Sequence, residues 1–203
     1  MLPDKALHVV ESAGLILEPQ TVAHTEEMFV VLSDPAIYEY ENEPPPSIEW
    51  MRTRFARLES RRSPDDREQW LNWVIRLPTP ELIGYVQATV RSNGRAAIAY
   101  ELSSRYWGRG LASRAVRAMI DELAGRYRVR SLCAVFKRDN QRSMRLLERL
   151  GFSQASPEVH VEWQPEPGEL LMQLEIQPHE RAGRAASSGV KAAGQPRHQG
   201  RRP

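Results

Sequence analysis

The sequence predicts an α+β fold: a mixed, mostly antiparallel central sheet with one parallel strand–helix–strand unit and helices on both faces. Three observations predict it. Residues 70–102 hold three strand-like runs separated by short turns. A long amphipathic segment follows from Gly110 to Arg126, and then a near-continuous apolar run, VRSLCAVF, from Val129 to Phe136. Such a run suits a strand covered on both faces, and strand, crossover helix and strand together imply a right-handed parallel unit.

In chain order, Met1–Gly14 has weak pattern and reads as a lead-in. Leu15-Ile16-Leu17 is a short first strand. Thr21 caps a helix that runs to about Leu32, and Ser33-Asp34-Pro35 stops it. IYEYENEPPP, Ile37–Pro46, places Glu39, Glu41 and Glu43 in alternation. It is either a solvated acidic loop or a negative rim that attracts an amine. Ser47 caps a second helix with a stripe of Trp50, Met51, Phe55 and Leu58. Its arginines (Arg52, Arg54, Arg57, Arg61, Arg62) form a solvated face. Trp70–Leu77, rich in aromatic and β-branched residues, is the second strand. Leu82–Arg91 and Ala96–Leu102 are the third and fourth, joined at a Ser92-Asn93-Gly94 hairpin signal. In the third helix, the rows Leu111, Ala115, Met119, Leu123 and Ala112, Val116, Ile120, Ala124 make one broad apolar face. The fifth strand carries Cys133, read as a packed core thiol. Asn140 caps a last helix that ends at Gly151. Glu158–Trp163 and Glu169–Ile176 are expected to close the sheet as a hairpin. From Pro178 to Pro203 the composition turns to Ala, Gly, Ser, Arg and Pro and reads as disordered, which leaves residues 15–177 as the domain.

The totals narrow the function classes. At 203 residues, 41% hydrophobic and 27% charged, the chain is long enough for one domain with a full core. It has no apolar run of membrane-spanning length and no basic-then-apolar leader. A single cysteine excludes an intrachain disulfide framework and fits a reducing cytoplasm. The histidines form no metal spacing, so no metal is expected. The net charge of +2 belongs to the tail, where six Lys/Arg face one Glu. The remainder carries 22 basic and 25 acidic residues, which argues against a nucleic-acid partner. Oligomeric state is left open, a homodimer included.

The chemistry centres on Arg105-Tyr106-Trp107-Gly108-Arg109-Gly110, a glycine-bearing turn between strand and helix. Free amides and the helix dipole make such a start an anion site. It is not a P-loop, for no Gly-Lys-Ser/Thr follows. Nor is it the dinucleotide fingerprint, since the third glycine position is Ser113 and antiparallel strands precede it. The turn matches R/Q-x-x-G-x-G/A. Asn140-x-x-Ser143 followed by LLERLGF, Leu146–Phe152, supplies a second motif at fitting spacing. The two motifs and the element order over about Leu15–Gln177 resemble the GNAT superfamily of acetyl-CoA-dependent N-acetyltransferases. The wording is closest to the branch with ribosomal-protein N-terminal and some aminoglycoside acetyltransferases.

That resemblance implies the GNAT fold, acetyl-CoA as co-substrate and an amine acceptor: a protein N-terminus, a small amine or an amino sugar. By resemblance, the amides of Gly108, Arg109, Gly110, Leu111, Ala112 and Ser113 hold the diphosphate, with Arg105 and Arg109 either adding charge or simply solvated. The backbone of Tyr100 and Leu102 pairs with the pantetheine arm where the fourth and fifth strands splay, and the Tyr100 amide stabilises the oxyanion. Asn140 caps its helix and also contacts CoA. The tyrosine that many relatives use as acid is replaced by Leu147, so Ser143 is the expected partner of the leaving thiolate, the alternative being a helix serine packed on CoA. A glutamate used as base earlier on the fourth strand in some relatives corresponds to Ala96, which favours a water relay. Because Tyr100 and Glu101 face opposite ways, Tyr100 is expected to line the site and Glu101 to be structural. Glu39, Glu41 and Glu43 are candidate contacts for a cationic acceptor. The rival class is a non-catalytic acyl-CoA-binding module on the same fold.

Overall fold

The computed structural model describes residues 6–12, 14–40 and 43–176. The tail from Pro178 and the acidic-loop residue Glu41 lie outside the described residues. One eight-stranded sheet runs in the order β1-β2-β3-β4-β5-β6-β8-β7. Its strands are β1 (Val10–Ser12), β2 (Leu15–Pro19), β3 (Glu68–Arg76), β4 (Leu82–Arg91), β5 (Arg95–Leu102), β6 (Ser131–Lys137), β7 (Ser153–Gln154) and β8 (Glu169–Glu175). Among the described residues only β5 and β6 pair in parallel; every other neighbouring pair is antiparallel. The α+β class and the single parallel unit are as the sequence predicts. The fourth and fifth predicted strands are β5 and β6, because the expected lead-in contributes β1, which pairs Val10 with Leu17. Three residues at a sheet edge carry too little pattern to be seen in sequence.

The helices are α1 (Thr25–Leu32), α2 (Ile48–Leu58), α3 (Leu111–Gly125), α4 (Gln141–Arg149) and α5 (Pro157–Trp163). Strand alternation divides the core between the two faces of the sheet. On one face, Leu71, Trp73, Val86, Ala88, Ala96 and Ile98 pack with Ala115, Val116, Met119 and Leu123 of α3 and Leu146 and Leu147 of α4. On the other, Val74 and Leu82 meet Met28 and Leu32 of α1 and Met51 and Phe55 of α2. The caps behave as read: Ser47 Oγ accepts from the Trp50 amide at 3.1 Å and Asn140 Oδ1 from the Ser143 amide at 3.0 Å. Thr21 starts a 3-10 turn, Val22–His24, before α1 begins.

Residues 158–163 are helix, not the first arm of a hairpin. Ser156 caps α5 through the Val159 amide, Pro157 occupies its first turn, and Gln164 ends it at φ 46°. Val159 and Trp163, four residues apart, face Cys133, Ala155 and Leu171. Alternating apolar residues over a short window fit either period, and the cap decides. Cys133 is buried there, and burial pushes its thiol up to about 11, which fits a core residue.

Candidate active site

The parallel pairing of β5 and β6 stops early. Arg95, Ala96 and Ala97 pair with Ser131, Leu132 and Cys133; beyond them β5 stays on β4 and β6 stays on β8. A cleft of about 940 Å³ opens where they part, bordered by Ile98–Glu101, Ala134–Phe136, the α1–α2 face and the start of α4. The Ser103 amide bonds to Ile83 O at 2.9 Å. Hydrogen-bonded and non-bonded pairs alternate in an antiparallel ladder, so Tyr100 and Leu102 turn their amides and carbonyls away from β4 and toward the opening. The Leu102 carbonyl is taken by the Trp107 indole N–H at 2.9 Å. The Tyr100 amide and carbonyl and the Leu102 amide are left facing the gap.

Gly84 permits this geometry. A Cβ there would lie 2.1 Å from the Glu101 carbonyl oxygen, so only glycine lets the end of β5 press so closely on β4. Nothing in the sequence marks this glycine apart from its place inside a strand.

Below the splay, Ser104–Tyr106 form a 3-10 turn and lead into the glycine turn. Gly108 and Gly110 have φ of +73° and +71°, with open space around a would-be Cβ. The left-handed backbone, rather than crowding, therefore calls for glycine here. The first α-helical bond of α3 runs from the Arg114 amide to Gly110 O at 3.1 Å, and no side chain caps the helix. The amides of Leu111, Ala112 and Ser113 thus lack helical acceptors. Arg105 and Arg109 are exposed beside this turn, Arg109 lying 5.6 Å from the Tyr106 ring.

The two walls of the cleft differ in chemistry. On the α3–α4 side, Tyr100 and Ser143 are neighbours. The Tyr100 hydroxyl is buried beside the Ser143 side chain. Burial pushes its phenol up to about 12, with the Ser143 side chain acting in the opposite direction. On the α1–α2 side stands Glu101, directly opposite Tyr85 on β4. Burial first, and then the Glu101 carboxylate, push the phenols of Tyr38 and Tyr85 up, while Arg54 works against both. The strands part at this point, so both Tyr100 and Glu101 reach the cleft from opposite faces. Glu101, expected to be structural, thus also borders the cleft.

The acidic loop is divided. Glu43 lines the cleft. Glu39 is ion-paired with Arg142 of α4, whose guanidinium also lies 4.2 Å from the Trp107 ring. Glu39, a candidate acceptor contact, thus already has a cationic partner. Asp34, at the other end of the loop, accepts from the Ser104 amide at 2.7 Å and the Ala36 amide at 3.1 Å. Burial opposes its ionisation, but the Ser104, Ala36 and Ser103 hydrogen bonds together hold the carboxyl below the usual range. Among the described residues no group of His, Cys, Asp and Glu could hold a metal ion, and no helix is long and apolar enough to cross a membrane.

Known proteins share this architecture. The profile of the acetyltransferase (GNAT) domain matches residues 14–153. An uncharacterised N-acetyltransferase of Bacillus subtilis, YoaA, is 27% identical over 150 residues, covering 71% of this chain and 82% of its own length. Among solved structures, the RimL ribosomal L7/L12 α-N-protein acetyltransferase in complex with coenzyme A superposes with a TM-score of 0.70 at 17% identity. The match covers 83% of this chain and 98% of that one. The ribosomal-protein-S5-alanine acetyltransferase from Vibrio fischeri gives 0.68 at 16% identity, over 83% and 96%. Both structural likenesses are of fold.

Proposed function

Because the chain belongs to the GNAT acetyltransferase family, we propose that it moves an acetyl group from acetyl-CoA directly to a primary amine, with both substrates bound together in the cleft between β5 and β6. The observation that carries this reading is the early end of the β5–β6 pairing. It leaves one strand edge free and puts different chemistry on each side of the gap.

The residues present fit acetyl-CoA. The uncapped turn at Gly108–Ser113 offers amides to a diphosphate, with Arg105 and Arg109 close by. The Leu102 amide and the Tyr100 amide and carbonyl offer an extended arm the edge of a strand. The Tyr100 amide is the donor aimed at the charge that develops on the thioester oxygen. Asn140 and Ser143 line the same wall.

The amine must lose a proton first. An ammonium with a pKa of about 10.4 is neutral in only about one molecule in 10³ at pH 7, so a base is valuable. Glu101 is the carboxylate on the acceptor side, and we assign it that proton, directly or through one water. Tyr85, opposite it on β4 and held protonated, positions it by a hydrogen bond. On the other wall, Tyr100 stays protonated at neutral pH, and its phenol and the Ser143 hydroxyl supply a hydrogen bond or proton to the departing thiolate.

Thiol release from acetyl-CoA, followed across a panel of amines, tests the reading. Amine-dependent release at near-equal stoichiometry with acetylated product is expected. Calorimetric binding of acetyl-CoA with no turnover on any amine would instead identify a non-catalytic acyl-CoA-binding module.

A further inference from the structure

The cleft continues beyond the reacting centre. Tyr85 and Glu101 face each other across β4 and β5, and two residues further along the same strands Gln87 faces Ala99. Gln87 also faces Asn72 on β3, and the Gln20 amide bonds to the Asn72 carbonyl at 2.9 Å. Directly opposed residues share a face of a sheet. Three carboxamides therefore form a row on the α1–α2 face, leading away from Glu101, and all three line the cleft. From Ala99 to Asn72 the row crosses two strand spacings, about 10 Å. The small Ala99 side chain keeps its start open.

The far end is buried and polar. Gln20 is 3% exposed and Asn72 6%. Above them sit Met51 and Phe55 of α2, and Gln20 Nε2 donates to the Phe55 carbonyl at 3.4 Å, which ties the helix down over the row. Yet the Asn72 amide nitrogen has no hydrogen-bond partner among the described residues. A buried donor left unsatisfied is costly. A core position under two apolar side chains has no structural use for one.

We infer that Asn72, with Gln87 and Gln20, is the specificity subsite of the acceptor pocket, and that it takes the far end of a small, elongated amine bearing a carbonyl or carboxylate oxygen. The inference rests on the acetyltransferase reading. Asn72 supplies the donor that such an oxygen needs, and the neutral row offers no counter-charge to a second cation. With Gln20 and Asn72 buried beneath α2, the row suits the end of a small acceptor rather than a polypeptide threaded past it.

The test compares 6-aminohexanamide, 6-aminohexanoate, heptylamine and a long peptide with a free α-amine, each with wild type and Asn72→Leu. Calorimetric affinity for the CoA-loaded enzyme and thiol-release kinetics are both read. Wild type is expected to bind and turn over the two oxygen-bearing amines best. Asn72→Leu should weaken them about tenfold, the size of one neutral hydrogen bond, and leave heptylamine equal or improved. Its Tm should not fall, because an unsatisfied polar group has been removed. Gln87→Leu, at a half-buried position, should show the same selectivity if Asn72→Leu does not fold. Equal losses for all amines, or preferred use of the peptide, would overturn the inference while leaving acetyl transfer intact. Selective binding that Asn72 controls, with no turnover of any amine, would overturn the enzymatic reading and keep the subsite.

Discussion

At the scale of single residues, the proposed acid and the proposed base are set apart by the alternation of one strand. Tyr100 and Glu101 are neighbours in sequence and point to opposite faces, and the splay exposes both to one space. Replacing Glu101 by Gln should lower kcat by about 10²-fold or more at pH 7 and leave acetyl-CoA affinity unchanged. The deficit should shrink as pH rises toward the amine's own pKa, where the base is no longer needed. A deficit constant from pH 7 to 10 would remove Glu101 as base. Ser143→Ala should lower kcat by about tenfold with little change in cofactor affinity, because Tyr100 remains on that wall. Losing both in Ser143→Ala/Tyr100→Phe should cost more than either alone. The place of Ser143 at the cleft was legible from its motif, whereas that of Glu101 was not. Strand alternation makes the choice between adjacent residues exclusive, and sequence shows alternation but not where two strands part.

At the scale of elements, the end of β5 is held in place by contacts that sequence patterning does not mark. Gly84 lies under the Glu101 carbonyl, 2.1 Å from any added Cβ. Gly84→Ala must move backbone, so we expect a loss of about 1–3 kcal/mol in stability and a drop in kcat larger than at any comparably buried alanine site. Chemical denaturation and steady-state kinetics together check it. Asp34 anchors the other side by joining the α1–α2 connection to the Ser103–Ser104 corner. Its folded carboxyl titrates below its unfolded value, so it contributes stability that is fully present above about pH 4 and fades as pH falls through the lower folded value. Asp34→Asn should therefore be less stable than wild type at pH 7, and the gap should close in thermal melts taken progressively below pH 4. Asp34 reads in sequence as a helix stop, and it is one. Its second partner lies 70 residues away, a distance no local pattern reports. The same limit explains α5, whose apolar positions fit two periods until Ser156 and Pro157 are seen to cap it.

At the scale of the whole molecule, the sheet is two ladders joined by three register pairs at one end. β1–β5 form one ladder and β6–β8 the other, with Arg95–Ala97 against Ser131–Cys133 between them. This much of the fold was legible, because the hairpin signal, the crossover helix and the two-faced strand fix strand order and direction. The depth and lining of the cleft were not, since they depend on which residues of three separate strands, and of the segment after β2, fall in one row. A ligand that fills the gap supplies the missing cross-strand bonds, so binding should be felt across both ladders. At a concentration about 100 times its Kd, CoA should stabilise the protein by about 2.7 kcal/mol, or about 5–10 °C in Tm for a domain of this size. In the same complex, hydrogen exchange should slow at the amides of Tyr100, Leu102 and Leu111–Ser113. The amide of Glu101 is already committed to β4 by the alternation of the ladder, so it should change little. Uniform protection of all three β5 amides would mean that CoA only rigidifies the sheet, and protection confined to Leu111–Ser113 would leave the strand edge without a role in holding the pantetheine arm.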